Sequence, residues 1–241
     1  MNKLLGFLKI LNDRKPIVLL SIRQQLGRRY WLLPIIVLAW PLLFGTLNFL
    51  FGATMSAGPE EAQNILIGFP LYFLALGLGS GIITNEIEQR TLEVTYTIPG
   101  GASRVWLLKL GSTAFLLFLS ELIMAGATWV MFTEFPLSTL TGAFRASMFV
   151  LVVAMALGAL LKNEMIAAII TGSVGMFVLI LTLEENVGRW SPFFDPTLHP
   201  EIGPNTMLAW TIQNYIGYTL VILGIANLAF SRMERREQLL E

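Results

Sequence analysis

Residues Asn85 to Arg104 read NEIEQRTLEVTYTIPGGASR and hold three carboxylates within eight positions, at Glu86, Glu88 and Glu93. Glu86 and Arg90 are four apart, a favourable helix pair worth ~0.2–0.5 kcal/mol. Glu86 and Glu93 are seven apart and share one helix face. Asn85 followed by Glu88 has the spacing of a capping box, and Pro99, Gly100 and Gly101 end any helix. The spacing predicts a short acidic helix beginning near Asn85. Its chemistry is recognition rather than catalysis: carboxylates on such a handle pair with Arg or Lys of a soluble partner. A solvated helix obeying ordinary charge patterning fits the same spacing.

Few other residues offer chemistry. Glu121 lies in the middle of a long apolar run, where a charge costs ~2.5–3.5 kcal/mol on insertion scales. It is expected to be protonated, hydrogen-bonded or open to an aqueous cavity. It serves either a transport pathway or a polar tie between helices, with Ser120, Thr113 or a neighbouring span as candidate partners. Phe69, Tyr72 and Phe73 are candidates to line an apolar pathway, although lipid-facing positions carry the same residue types. The chain has no cysteine, and His199 is its single histidine. Thiolate and multi-histidine metal centres are thereby excluded. The P-loop, zinc-protease, dinucleotide-binding and nucleophile-elbow patterns are all absent.

The elements that position these residues follow from composition. Of 241 residues, 55% are hydrophobic and 13% charged, and mean hydropathy is +0.68. Soluble domains carry about 25% charged residues, so a soluble enzyme is excluded. Six uncharged stretches approach the ~20 residues that span a bilayer: roughly 31–51, 65–84, 105–132, 143–161, 165–183 and 208–230. The expected fold is an all-α polytopic membrane protein, with a cytoplasmic N-terminus over 1–30, six transmembrane helices over 31–230 and a cytoplasmic tail over 231–241. The third span is expected to begin as an interfacial segment, because Lys109 sits in its first turns. Small residues at Ala75, Gly77, Gly79, Ser80 and Gly81 predict close helix packing in span two.

Charge sets the orientation. All of the 16 lysines and arginines except Arg145 and Arg189 fall on one side of a six-span arrangement, which places both termini in the cytoplasm. Arg145 is expected to snorkel at the outer face as a simple anchor. The stretch from Pro16 to Tyr30 has apolar residues at helical spacing and arginines between them, and so predicts an amphipathic helix at the inner interface. The basic start, without a cleavage site after its first apolar run, is expected to be retained. A net charge of zero points to no nucleic-acid partner. The longest outer loop, 184–207, carries Trp190, Phe193, Phe194 and His199 and is expected to cap the exit.

The run Asn85-Glu86-Ile87-Glu88-Gln89-Arg90-Thr91-Leu92-Glu93, then Ile98-Pro99, then Arg104-Val105-Trp106-Leu107-Leu108-Lys109-Leu110 resembles the signature of ABC-2 type transporter permeases. There, an E-x-E-x-x-T-L-E stretch follows the second span, with a proline and a Lys-containing apolar run after it. The layout of six spans, cytoplasmic termini and an N-terminal amphipathic helix resembles that family over essentially the whole chain. Arg90 stands where the family usually has glycine.

The resemblance implies an ABC-2 (type V exporter-like) fold and the permease subunit of an ATP-binding cassette exporter in a prokaryotic inner membrane. Segment 85–104 would be its coupling segment, with Glu86, Glu88, Arg90, Thr91 and Glu93 facing or supporting an ATPase. Two ATPase copies and a second permease, identical or homologous, would complete the assembly. ATP and Mg would bind the partner, leaving this chain without cofactor, metal or catalytic residues of its own. Two rivals stand beside this reading. One is a secondary transporter or channel driven by an ion gradient, the other a structural membrane assembly subunit.

Overall fold

The computed structural model describes residues 33–51, 58–88, 102–181, 190–199 and 202–234. Among them there is helix but no strand. α1 is Leu33–Phe51, α2 is Pro59–Glu88, α3 is Ala102–Met131, α4 is Leu137–Leu161, α5 is Glu164–Leu181 and α6 is Pro204–Glu234. A 3₁₀ turn at Pro196–Leu198 lies between α5 and α6. α2, α3, α4 and α6 are long and apolar enough to cross a membrane, while α1 and α5 are shorter apolar helices. The bundle end that carries Glu88, Leu161 and Glu164 is called inner below, and the opposite end outer.

α4 is the hub. It packs most extensively on α2, and also on α6, α5 and α3. Its apolar window is 56% buried against 17% for α6, which therefore lies at the periphery. Small residues set the α2–α4 distance. A Cβ added at Gly79 would stand 2.5 Å from the Leu151 carbonyl oxygen, and one at Gly158 would stand 3.0 Å from the Ser80 carbonyl oxygen. Without side chains there, the two backbones come into contact, and dispersion between them replaces the hydrophobic drive that lipid does not supply. Gly77 faces open space and has no part in this contact.

The entry to α2 is unusual. Ala62–Gly68 is π-helical, and Pro70 follows it. The Phe69 N–H bonds to the Asn64 carbonyl. The next rung of that pattern would be a Pro70 N–H to the Ile65 carbonyl, but proline has no N–H. The Trp40 indole of α1 donates to Ile65 O instead, at 3.0 Å. Gly68 is required here, because a Cβ would stand 2.5 Å from the Gln63 carbonyl oxygen.

One local expectation needs correction. Asn85 and Glu88 do not cap a new helix, for α2 runs unbroken through both to Glu88. The apolar run Ile82-Ile83 keeps the span helical, and the Thr84 hydroxyl donates back to Ser80 O within it. α3 is one continuous helix from Ala102, and Lys109 in its first turns pairs with Glu86 of α2.

Candidate functional site

The inner site begins with Glu86, whose aliphatic surroundings would exclude a lone charge. It is only 7% exposed, and both of its oxygens are used. Trp106 Nε1 donates to Oε2 at 2.9 Å, and Lys109 Nζ donates to Oε1 at 2.5 Å. Trp106 and Lys109 are three apart on α3 and so present one face to α2. Trp106 is fully buried and stacks on Phe230 of α6 with centroids 6.5 Å apart. Thus one carboxylate joins the inner ends of α2 and α3, with α6 behind the indole. Glu86 turns into the bundle rather than toward solvent.

Glu88 is exposed, and its Oε1 accepts from the Glu164 backbone N–H at 3.3 Å. That contact caps the start of α5, where a carboxylate complements the helix dipole. The Glu164 carboxyl is pushed above the usual carboxylate range, first by burial and second by the Glu88 charge. Arg90, Thr91 and Glu93 lie outside the described residues, as do the amphipathic stretch 16–30 and the tail beyond 234.

The outer site is built around Arg145, which does not snorkel. It is 6% exposed, its Nη2 donates to the Phe194 carbonyl at 2.8 Å, and its guanidinium lies 4.5 Å from the Tyr215 ring centroid. At the ninth residue of α4, Nη2 finds a carbonyl and the guanidinium an aromatic face within the fold, while Nε and Nη1 have no hydrogen-bond partner among the described residues. The Asn214 amide also donates to Phe194 O, at 3.4 Å. Asp195 Oδ1 accepts from the Thr197 N–H and hydroxyl. Its Oδ2, like Gln63 Oε1, abuts Gly142, where a Cβ would stand 2.5 and 2.8 Å from the two atoms. His199 stacks on Phe194, with centroids 4.8 Å apart.

The candidate pathway residues separate. Phe69 and Tyr72, with Gln63, Ala143, Ala146 and Phe193, line a cavity of about 20 Å³, room for about one water. The Tyr72 hydroxyl donates to Gly172 O of α5 at 2.8 Å. Phe73 is 47% exposed on the bundle surface and packs edge-on against Phe69 and Tyr72. Glu121 is 1% exposed on α3, and its carboxyl lies against the Phe144 backbone of α4. Of the candidate partners it is the neighbouring span that supplies the contact, through the Phe144 backbone; Thr113 bonds back to Lys109 O, and the Ser120 hydroxyl has no partner among the described residues.

Sequence reasoning missed Trp106 and Lys109 as the partners of Glu86, although an indole and a cation three apart at a span entry form a usable signal. It also missed Gln63, which nothing in the sequence distinguishes from a loop amide.

The fold and both sites define an α-helical protein with four helices suited to crossing a bilayer, tied across its inner end by Glu86 and across its outer end by Arg145. No family model matches the chain, and no curated protein or solved structure matches it either.

Proposed function

We propose that the chain is the permease subunit of an ABC-2 type ATP-binding cassette transporter, with α1 and α5 crossing the membrane beside the four longer helices. In this reading both termini are cytoplasmic and the membrane is a prokaryotic inner membrane. Substrate moves outward by alternating access. Two copies of a separate ATPase, holding ATP and Mg, close on nucleotide and press on the 85–104 segments of two permeases, which rocks the spans as rigid bodies. The chain itself hydrolyses nothing.

The observation that carries the reading is the Glu86 clasp. The two halves of the motif, 85–88 and 104–110, meet through Glu86, Trp106 and Lys109. Force applied between Glu88 and Ala102 therefore enters α2 and α3 together rather than one helix alone. A buried clasp of this kind suits a lever. Glu86 supports that lever from within, and Glu88, Arg90, Thr91 and Glu93 are the positions proposed to meet the ATPase.

The test is purification of the tagged chain from its native membrane. A P-loop ATPase polypeptide is expected to copurify, and Glu88→Lys with Glu93→Lys is expected to release it or to abolish its coupling to transport. Glu86 is unsuited to this test because its loss disturbs folding. Transport by the isolated chain in liposomes without nucleotide would overturn the reading. It would favour the ion-gradient rival, for which the buried carboxyl of Glu121 is the supporting observation.

A further inference from the structure

Four buried polar side chains near the outer half of the bundle have an atom without a hydrogen-bond partner among the described residues: Gln63 Oε1, Thr128 Oγ1, Thr139 Oγ1 and Glu121 Oε1. All four residues are at most 2% exposed. Their places are related by one contact. Ile67 of α2, Ala125 of α3 and Ala143 of α4 pack together as a small buried cluster. Gln63 lies four residues from Ile67, Thr139 four from Ala143 and Thr128 three from Ala125, each on the outer side. Glu121 lies four residues from Ala125 on the inner side, beside the Phe144 backbone. The register therefore builds an outer polar layer, then a collar of two alanines and an isoleucine, then a carboxyl one turn below, with about 5.4 Å per turn.

Buried polar atoms in native proteins are satisfied by protein or by ordered water, and the cavity of about 20 Å³ that Gln63 lines has room for about one water. Asp195 of segment 190–199 borders the same layer, its Oδ2 beside Gly142 next to Gln63. Arg145 of α4, two residues inward of Ala143, donates from Nη2 to Phe194 O, and its Nε and Nη1 have no hydrogen-bond partner among the described residues. No ionisable side chain of α1 exists. The nearest cation on α3 itself, Lys109, is twelve residues inward and bound to Glu86. Among the described residues Glu121 makes no ion pair, and the small side chains of the collar leave a short dry step between it and the outer layer.

We propose that Glu121 is a proton-binding site, loaded from the outer face through the polar layer of Gln63, Thr128 and Thr139. The proton is the ligand, water in the outer layer delivers it, and the Ile67–Ala125–Ala143 collar sets the rate. This inference stands apart from the ATPase reading, because its test involves neither transport nor nucleotide.

Infrared spectroscopy of the whole chain in lipid nanodiscs tests it. The expected result is a protonated-carboxyl carbonyl band at neutral pH that Glu121→Gln removes, Glu121→Asp shifts and D₂O shifts without unfolding. Ala125→Leu, which thickens the collar, is expected to slow the D₂O shift several-fold while leaving the band in place. Glu121→Asp keeps the assignment testable if the glutamine variant does not fold. A band absent at neutral pH, or unmoved by both Glu121 substitutions, would overturn the site. Exchange unaffected by Ala125→Leu would overturn the outer route.

Discussion

The Trp106 indole N–H donates to the Glu86 carboxylate at 2.9 Å, across the inner ends of α2 and α3. That bond and the Lys109 ion pair make Glu86 an internal tie. Removing one member of a buried pair leaves the other uncompensated, at ~3–5 kcal/mol. Because Glu86 and Lys109 keep 9% and 12% of their side-chain surface, the lower end of that range applies. Glu86→Ala is expected to cost about 3 kcal/mol, read as a drop in thermal stability in detergent. Lys109→Met in the Glu86→Gln background is expected to cost much less than the sum of its parts. Additive losses in that cycle would show that the two residues act independently.

The α2–α4 contact depends on absent side chains. Gly79→Leu and Gly158→Leu each place atoms where the opposing carbonyl stands within 3.0 Å. Overpacking a close contact costs ~1–3 kcal/mol, so both variants are expected to lower the unfolding midpoint. Gly77→Leu, which meets nothing within 4 Å, is the matched control and is expected to leave it unchanged.

Arg145 holds segment 190–199 on α4 and α6 through Phe194 O and Tyr215. Arg145→Gln is expected to loosen that segment, at ~1.5–3 kcal/mol for a lost charge-assisted bond, and to raise protease cleavage between Trp190 and His199. Arg145→Lys is not expected to rescue it, because a lysine lacks the planar group that donates to the carbonyl while covering the ring. Unchanged cleavage in both variants would show that the segment is held by its apolar contacts alone.

Glu164 gives the inner end a pH dependence. Its carboxyl is raised by burial and then by Glu88, so the folded state binds its proton more tightly than the unfolded state does. By linkage, this stabilising contribution is fully present below the ordinary glutamate value of ~4.3. It is lost as pH rises through the raised folded value. Stability is therefore expected to increase on acidification through that window, and Glu164→Gln is expected to flatten the slope. A wild-type slope retained in Glu164→Gln would assign it to another group.

The helices were legible because apolar runs of span length are a one-dimensional signal. The six expected stretches correspond to α1 through α6 with ends shifted by a few residues, the largest shifts being at the starts of α2 and α4. The start of α2 was illegible because Gln63 and Asn64 are polar, and their helix is π-helical and held by the Trp40 indole on another helix. Asn85 misled because capping depends on where the preceding residues leave the helix, and here they do not leave it. Arg145 misled because distance from a span end predicts snorkelling only when no carbonyl or ring inside the fold offers a better partner.

The sequence by itself determined that this chain is helical and strongly apolar, where its apolar helices fall, and which few residues carry charge within or beside them. Those properties follow from composition and spacing, which are local. The tertiary structure alone decided that Glu86 faces Trp106 and Lys109 twenty and more residues away, that Arg145 clasps Phe194, and that Glu121 sits about two turns beneath a layer of polar atoms unpartnered among the described residues. Each depends on the register of one helix against another. Small residues such as Gly79, Ala125 and Ala143 set that register through backbone contact, which no single run of sequence encodes.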